Sequence, residues 1–170
     1  MHTDLLQFIR NVPDFPKPGV MFKDIGPLLK ERFSETILAM SKQVNWDAID
    51  YILGIESRGF ILGSGLASLQ NKGFIPARKK GKLPPPTFKA EYTLEYGTDT
   101  LEISALLSPQ SKVLIVDDVL ATGGTYNAAL SLCLQANLIP VGGLFLINLT
   151  FLNNFEQTNK NYPVYSLFRY

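Results

Sequence analysis

The sequence predicts an α/β protein with a mostly parallel central sheet flanked by helices, and three observations support that expectation. Apolar runs such as Tyr51-Ile52-Leu53-Gly54-Ile55 and Val113-Leu114-Ile115-Val116 have the length of strands buried on both faces. Helix-length segments alternate with these runs along the chain. A Gly-rich turn follows the second run and leads directly into one of those helices.

The elements follow in order. Leu5, Leu6, Phe8 and Ile9 predict a short amphipathic helix, stopped before Pro13 because the residue preceding a proline is pushed out of the helical region. Pro13, Pro16, Pro18 and Gly19 impose an irregular, extended stretch. Residues 34–43 read as a helix, 51–55 as a buried strand and 61–70 as the next helix, with Gly73 just beyond its end. A strand is expected at 74–78. Residues 79–86 are basic and proline-rich, which excludes regular structure. Residues 92–96 and 100–103 read as two strands joined through Gly97-Thr98-Asp99. The strand at 113–116 ends on Asp117-Asp118, a helix runs from about 126 to 135, and 141–149 is a further buried strand.

Composition narrows the function. The 170 residues suit one domain, and the formal net charge of +1 supplies no global attraction to nucleic acid or to a membrane surface. One cysteine, Cys133, and one histidine, His2, exclude a Cys/His zinc cage and a disulfide framework. His2 lies at a terminus expected to fray, so a Ser-His-Asp triad is not expected either. The N-terminus lacks the basic and long apolar regions of a signal peptide, and no apolar run is long enough to span a bilayer. A cytoplasmic protein is expected.

The strongest motif is the stretch from Val113 to Thr125. A hydrophobic strand delivers Asp117 and Asp118 to its C-terminal end, where ligands bind in open α/β sheets. Ala121, Thr122, Gly123, Gly124 and Thr125 then turn into a helix. Glycine lets the backbone approach a ligand and take positive φ. Unpaired amides at the helix start, with the hydroxyls of Thr122 and Thr125, make an anion cradle suited to phosphate. The acid pair is suited instead to hydroxyl groups, because carboxylates accept hydrogen bonds and repel phosphate. No P-loop pattern is present, and Gly63-Ser64-Gly65 lacks the third glycine of a dinucleotide fingerprint and falls inside an expected helix.

This stretch resembles the phosphoribosyl-diphosphate signature of the type I phosphoribosyltransferases. The resemblance implies that residues 121–125 hold a 5′-phosphate and that Asp117 and Asp118 face ribose hydroxyls. A second motif, Gly54-Ile55-Glu56-Ser57-Arg58-Gly59-Phe60, resembles the diphosphate loop of the adenine phosphoribosyltransferase family. It assigns Glu56, Ser57 and Arg58 to diphosphate, with Arg58 able to fork onto two phosphate oxygens. It also implies a cis peptide near Glu56-Ser57.

Two further segments resemble that family. The span from Arg78 to Gly97 looks like its mobile flap, about residues 79–100, with Arg78 and Lys82 on the diphosphate and Glu95 handling a proton near the base. Phe15-Pro16-Lys17-Pro18-Gly19-Val20-Met21-Phe22-Lys23-Asp24-Ile25 looks like its adenine-recognising hood, formed by about residues 1–30 and a C-terminal segment. There Phe22 stacks on the base, the backbone at Met21 and Lys23 reads its edge, and Val119 completes the base site. Relatives usually carry a glutamate and a Gly-Arg pair where this chain has Asn148-Leu149-Thr150-Phe151-Leu152-Asn153-Asn154.

The resemblance therefore implies one phosphoribosyltransferase domain, formation of AMP and diphosphate from adenine and phosphoribosyl diphosphate, and a homodimer. It also implies Mg²⁺, held mostly by substrate oxygens and water. No protein ligand to the metal is assigned. A 6-oxopurine phosphoribosyltransferase and a nucleotide-sensing regulator on the same fold are the alternatives. The hood sequence argues against the first. The near-zero net charge, with Arg58 and Glu95 both in place, argues against the second.

Overall fold

The structure, a computed structural model, describes residues 3–94 and 97–170. Its frame is a seven-stranded sheet in the order β5-β6-β4-β3-β7-β8-β9. The strands are β3 (Tyr51–Ile55), β4 (Gly73–Lys79), β5 (Thr87–Leu94), β6 (Gly97–Ser104), β7 (Lys112–Leu120), β8 (Ile139–Asn148) and β9 (Val164–Arg169). β4, β3, β7, β8 and β9 run parallel, whereas β6 and β5 form an antiparallel extension beside β4. A separate two-stranded hairpin, β1 (Arg10–Val12) and β2 (Phe22–Asp24), follows the short helix α1 (Thr3–Leu6).

Both faces of the parallel sheet are covered, which is why its central strands read as continuous apolar runs rather than alternating ones. On one face Ile52, Leu114 and Val116 pack under α2 (Gly26–Ser41) and α3 (Arg58–Gln70), through Leu28, Met40, Leu62 and Leu66. On the other, Leu53, Ile55, Val113 and Ile115 pack under Tyr126, Ala129, Leu132 and Cys133 of α4 (Gly124–Gln135). A small helix, α5 (Phe155–Thr158), lies between β8 and β9.

Five differences from the sequence reading have local causes. β7 does not stop at Val116 but runs through Asp117 and Asp118 to Leu120, because the β8 ladder continues to the Leu120–Asn148 pair. The hairpin of β5 and β6 is longer than expected. Its ladder includes Thr93–Thr98 and Leu94–Gly97, so Gly97-Thr98-Asp99 is strand and not turn. α2 begins at Gly26, with Pro27 in its first turn and a break at Arg32 (φ −139°, ψ 31°), so the expected helix at 34–43 corresponds to its second half. The extended proline segment closes into the β1–β2 hairpin, and Val164–Arg169 adds a strand with no sequence-based expectation. Gly63-Ser64-Gly65 does lie within a helix, α3.

Candidate active site

The parallel strands bring their C-terminal ends to one edge, and three connections converge there. Residues 56 and 57 lead from β3 into α3. Residues 80–86 leave β4. Residues 121–123 join β7 to α4.

The last connection is the anion cradle expected from sequence. Gly123 caps α4 with φ +85°, a left-handed conformation that costs glycine little. A Cβ on Gly123 would run into the ring of Phe155, so the close packing of α5 also requires glycine. The first amides of α4 have no carbonyl one turn earlier within the helix, and its dipole places positive potential at this end. Beside it lies a cavity of about 350 Å³. Asp117, Val119 and residues 120–126 form one side, and Pro16, Lys17 and Val20 of the hood form the other.

Asp117 and Asp118 diverge in environment. Asp118 is buried, and its Oδ2 lies 2.7 Å from Nη2 of Arg58. Burial is the main cause that pushes Asp117 well above the usual carboxylate range, and the charge of Asp118 adds to it. The Asp118 amide donating to Asp117 Oδ1 at 2.9 Å, and the nearby Arg58, pull the other way. Gly59 makes this proximity possible: a Cβ there would stand 2.8 Å from both Asp117 Oδ1 and the Val116 carbonyl. The start of α3 can therefore press against β7.

Arg58 also ties the sheet to the hood. Its guanidinium sits 4.8 Å from the Phe22 ring centre, and Nη1 donates to the Lys23 carbonyl at 3.3 Å. Phe22 in turn meets Phe15 edge-on at 5.0 Å. The Lys23 side chain turns away from this contact. Its Nζ donates to Asn11 Oδ1 at 2.8 Å and lies 3.6 Å from the Tyr170 ring centre, where burial lowers its pKa. Met21 is exposed.

A second charged group forms at the β3 and β4 ends, where the peptide between Glu56 and Ser57 is cis, as the resemblance implied. Arg78 Nη2 and Lys82 Nζ donate to Glu56 Oε1 at 3.3 and 3.1 Å, and the Lys79 amide donates to Oε2 at 3.0 Å. Burial alone would raise the Glu56 pKa. Those hydrogen bonds and the charge of Arg78 outweigh it and hold the carboxyl at about 2.

Thus Asp117, Val119 and residues 121–125 share one cavity, Arg58 joins Asp118 to Phe22 and Lys23, and Glu56 gathers Arg78 and Lys82. Glu95 and His2 lie outside the described residues. Sequence reasoning missed three contributors. Pro16, Lys17 and Val20 line the cavity although only their neighbours Met21 to Lys23 were singled out. Phe155 packs on Gly123, and Asn153 Nδ2 donates to the Ala121 carbonyl at 2.8 Å. The proline-flanked lysine in a loop was a usable signal for the first group. Asn153 and Phe155 carry none, since their contacts are to residues about thirty positions away.

Comparison with known proteins decides the family. The phosphoribosyl transferase domain model matches residues 27–142. An adenine phosphoribosyltransferase of Bdellovibrio bacteriovorus is 50% identical over 98% of this chain and 99% of its own. The chain belongs to the adenine phosphoribosyltransferase family. Solved structures of the family superimpose closely. That of Rhodothermus marinus is 45% identical with a TM-score of 0.90, covering 98% of this chain and 97% of its own. That of Saccharomyces cerevisiae, complexed with an imino-altritol bisphosphate and adenine, is 38% identical with a TM-score of 0.86, covering 96% of each chain.

Proposed function

We propose that this adenine phosphoribosyltransferase family member transfers the 5-phosphoribosyl group from phosphoribosyl diphosphate to adenine, giving AMP and diphosphate. The observation that carries this reading is the single cavity joining the α4 N-terminus to Asp117 and the hood. It offers a phosphate cradle, hydroxyl acceptors and a base-sized space side by side.

In this reading residues 121–125, through their amides and the hydroxyls of Thr122 and Thr125, hold the 5′-phosphate. Asp117 and Asp118 accept from the ribose hydroxyls. Arg58, Ser57, Arg78 and Lys82 surround the diphosphate, with Glu56 holding the last two cations in place. Phe22, the backbone of Met21 and Lys23, and Val119 take the adenine. The bond from the anomeric carbon to the diphosphate oxygen breaks as the bond to N9 forms, and the N9 proton leaves with help from Glu95. Positive charge develops on the sugar in between, as in glycoside hydrolysis, and Arg58, Arg78 and Lys82 stabilise the departing oxygens. A flap at residues 79–100 excludes water from this step.

Among the described residues no cluster of three or more His, Cys, Asp or Glu side chains is placed to cage a metal. Mg²⁺ fits instead as a partner of the diphosphate, with substrate oxygens and water as ligands, and supplies neutralisation of leaving-group charge when bound. The whole chain acts as one domain, with the hood supplied by its first thirty residues and the C-terminal strand. Exposed Leu38, Ile61 and Leu69 on α2 and α3 support a homodimer. The lone buried thiol of Cys133 supports a cytoplasmic location, and no described helix is long and apolar enough to cross a membrane.

The test is to incubate the protein with phosphoribosyl diphosphate, Mg²⁺ and adenine, hypoxanthine or guanine, and follow nucleotide formation. Adenine should be preferred by about 10⁴ or more, because a 6-oxo group would place acceptor against acceptor in the hood. Comparable kcat/KM for hypoxanthine would overturn the reading.

A further inference from the structure

Residues 148–154, which depart from the family pattern, form with Phe155 and Glu156 a hydrogen-bonded strap behind the phosphate turn. Asn153 is its centre. Nδ2 donates to the Ala121 carbonyl at 2.8 Å, to Asn148 Oδ1 at 2.9 Å and to the Leu149 carbonyl at 3.0 Å, sharing its two protons among three acceptors. Oδ1 accepts from the Phe155 amide at 3.2 Å, which places the Phe155 ring over Gly123. The fully buried Asn148 passes the connection on, donating from Nδ2 to Glu156 Oε1 at 3.1 Å. Glu156 Oε1 also accepts from Ser166 Oγ at 3.2 Å and Arg169 Nε at 2.8 Å, both on β9. The turn is thereby moored to the sheet through side chains far away in sequence.

We propose that Asn153 is a positioning residue for 5′-phosphate recognition, holding the Ala121–Thr122 peptide in the orientation that presents its N–H to the anion. This rests on the assignment of residues 121–125 to the 5′-phosphate. The peptide unit is planar and trans, so its C=O and N–H point in opposite directions. Fixing the Ala121 oxygen on Asn153 aims the Thr122 N–H away from the strap. A flip at Ala121 would exchange a donor for a carbonyl dipole that repels phosphate. The strap opposes that flip.

Asn153→Asp tests this, because it keeps the shape and the acceptor for Phe155 but sets a carboxylate against three oxygens. AMP affinity by calorimetry should fall about tenfold or more, as for one lost charge-assisted hydrogen bond, and KM for phosphoribosyl diphosphate should rise in step. KM for adenine should stay at the wild-type value. Asn153→Ser keeps a hydroxyl acceptor for Phe155 but is too short to reach Ala121, and should show the same split if Asn153→Asp does not fold. Folded variants with wild-type AMP affinity would overturn the strap, whatever their melting temperature. Equal loss for adenine and phosphoribosyl diphosphate would overturn it as well, by revealing general distortion. Wild-type protein that fails to bind AMP would instead overturn the 5′-phosphate assignment itself, and the strap's role with it.

Discussion

Arg58 and Asp118 face each other across the start of α3 and the end of β7, with Nη2 and Oδ2 2.7 Å apart. The same guanidinium covers Phe22 and holds the Lys23 carbonyl, so one side chain touches the residues assigned to ribose and to adenine. Arg58→Ala should lower kcat/KM for phosphoribosyl diphosphate by about 10² or more, the scale of losing one preorganised donor to a developing anion. Arg58→Lys should restore only part of it, since an ammonium cannot fork onto two oxygens. In Arg58→Ala the buried Asp118 also loses its partner beside Asp117, whose pKa is already raised. With the Arg58 charge that opposes it gone, the rise at Asp117 grows and ionising that one group costs more stability; the cost is absent below the ordinary aspartate value of 3.8 and grows as pH rises above it. Urea unfolding from pH 4 to 8 should show the deficit widening with pH. A variant with wild-type turnover would remove Arg58 from the chemistry.

Gly123 combines a φ of +85° with contact to the Phe155 ring. Gly123→Ala should destabilise the protein by about 1 to 3 kcal/mol, from backbone strain and the displaced ring. AMP and phosphoribosyl diphosphate should both bind more weakly, because both carry the 5′-phosphate, while adenine changes less. Gly123→Val should abolish AMP binding. Calorimetry on folded protein decides it, and normal AMP affinity would move the phosphate site elsewhere.

The low pKa of Glu56 predicts an acid-labile contribution to stability. Its folded value of about 2 lies below its ordinary value of 4.5, so between these the unfolded state binds more protons. The contribution is complete above pH 4.5 and disappears as pH falls through 2. Because Arg78 and Lys82 are 34% and 51% exposed, it amounts to about 1 to 2 kcal/mol and not the full shift. Glu56→Gln should flatten the acid limb of the stability curve by that amount. It should also raise KM for phosphoribosyl diphosphate, as the two cations lose their anchor. An unchanged acid limb would show that Glu56 does not hold them in solution.

Glu95 is assigned proton transfer at the base. Glu95→Gln keeps size and removes charge, so kcat should fall by about 10² to 10⁴ while phosphoribosyl diphosphate still binds. Single-turnover kinetics, where product release does not limit the rate, provide the measurement. A wild-type rate would make Glu95 a bystander.

What the sequence determined by itself was everything encoded locally. The strand Tyr51–Ile55 matches its expected bounds, because a buried parallel strand is a continuous apolar run whatever surrounds it. The turn at 121–125 was legible because glycine and threonine at a strand-to-helix corner already specify φ and donors. The tertiary structure decided what depends on partners distant along the chain. Asp117 and Asp118 became strand residues because β8 extends the ladder past them, and β9 formed because β8 offered an edge. Arg58 found Asp118, Glu56 found Arg78 and Lys82, and Asn153 found Ala121 only through sheet order and loop packing. No local pattern records such pairings, since a polar side chain carries no mark of the group that will satisfy it until folding buries them together.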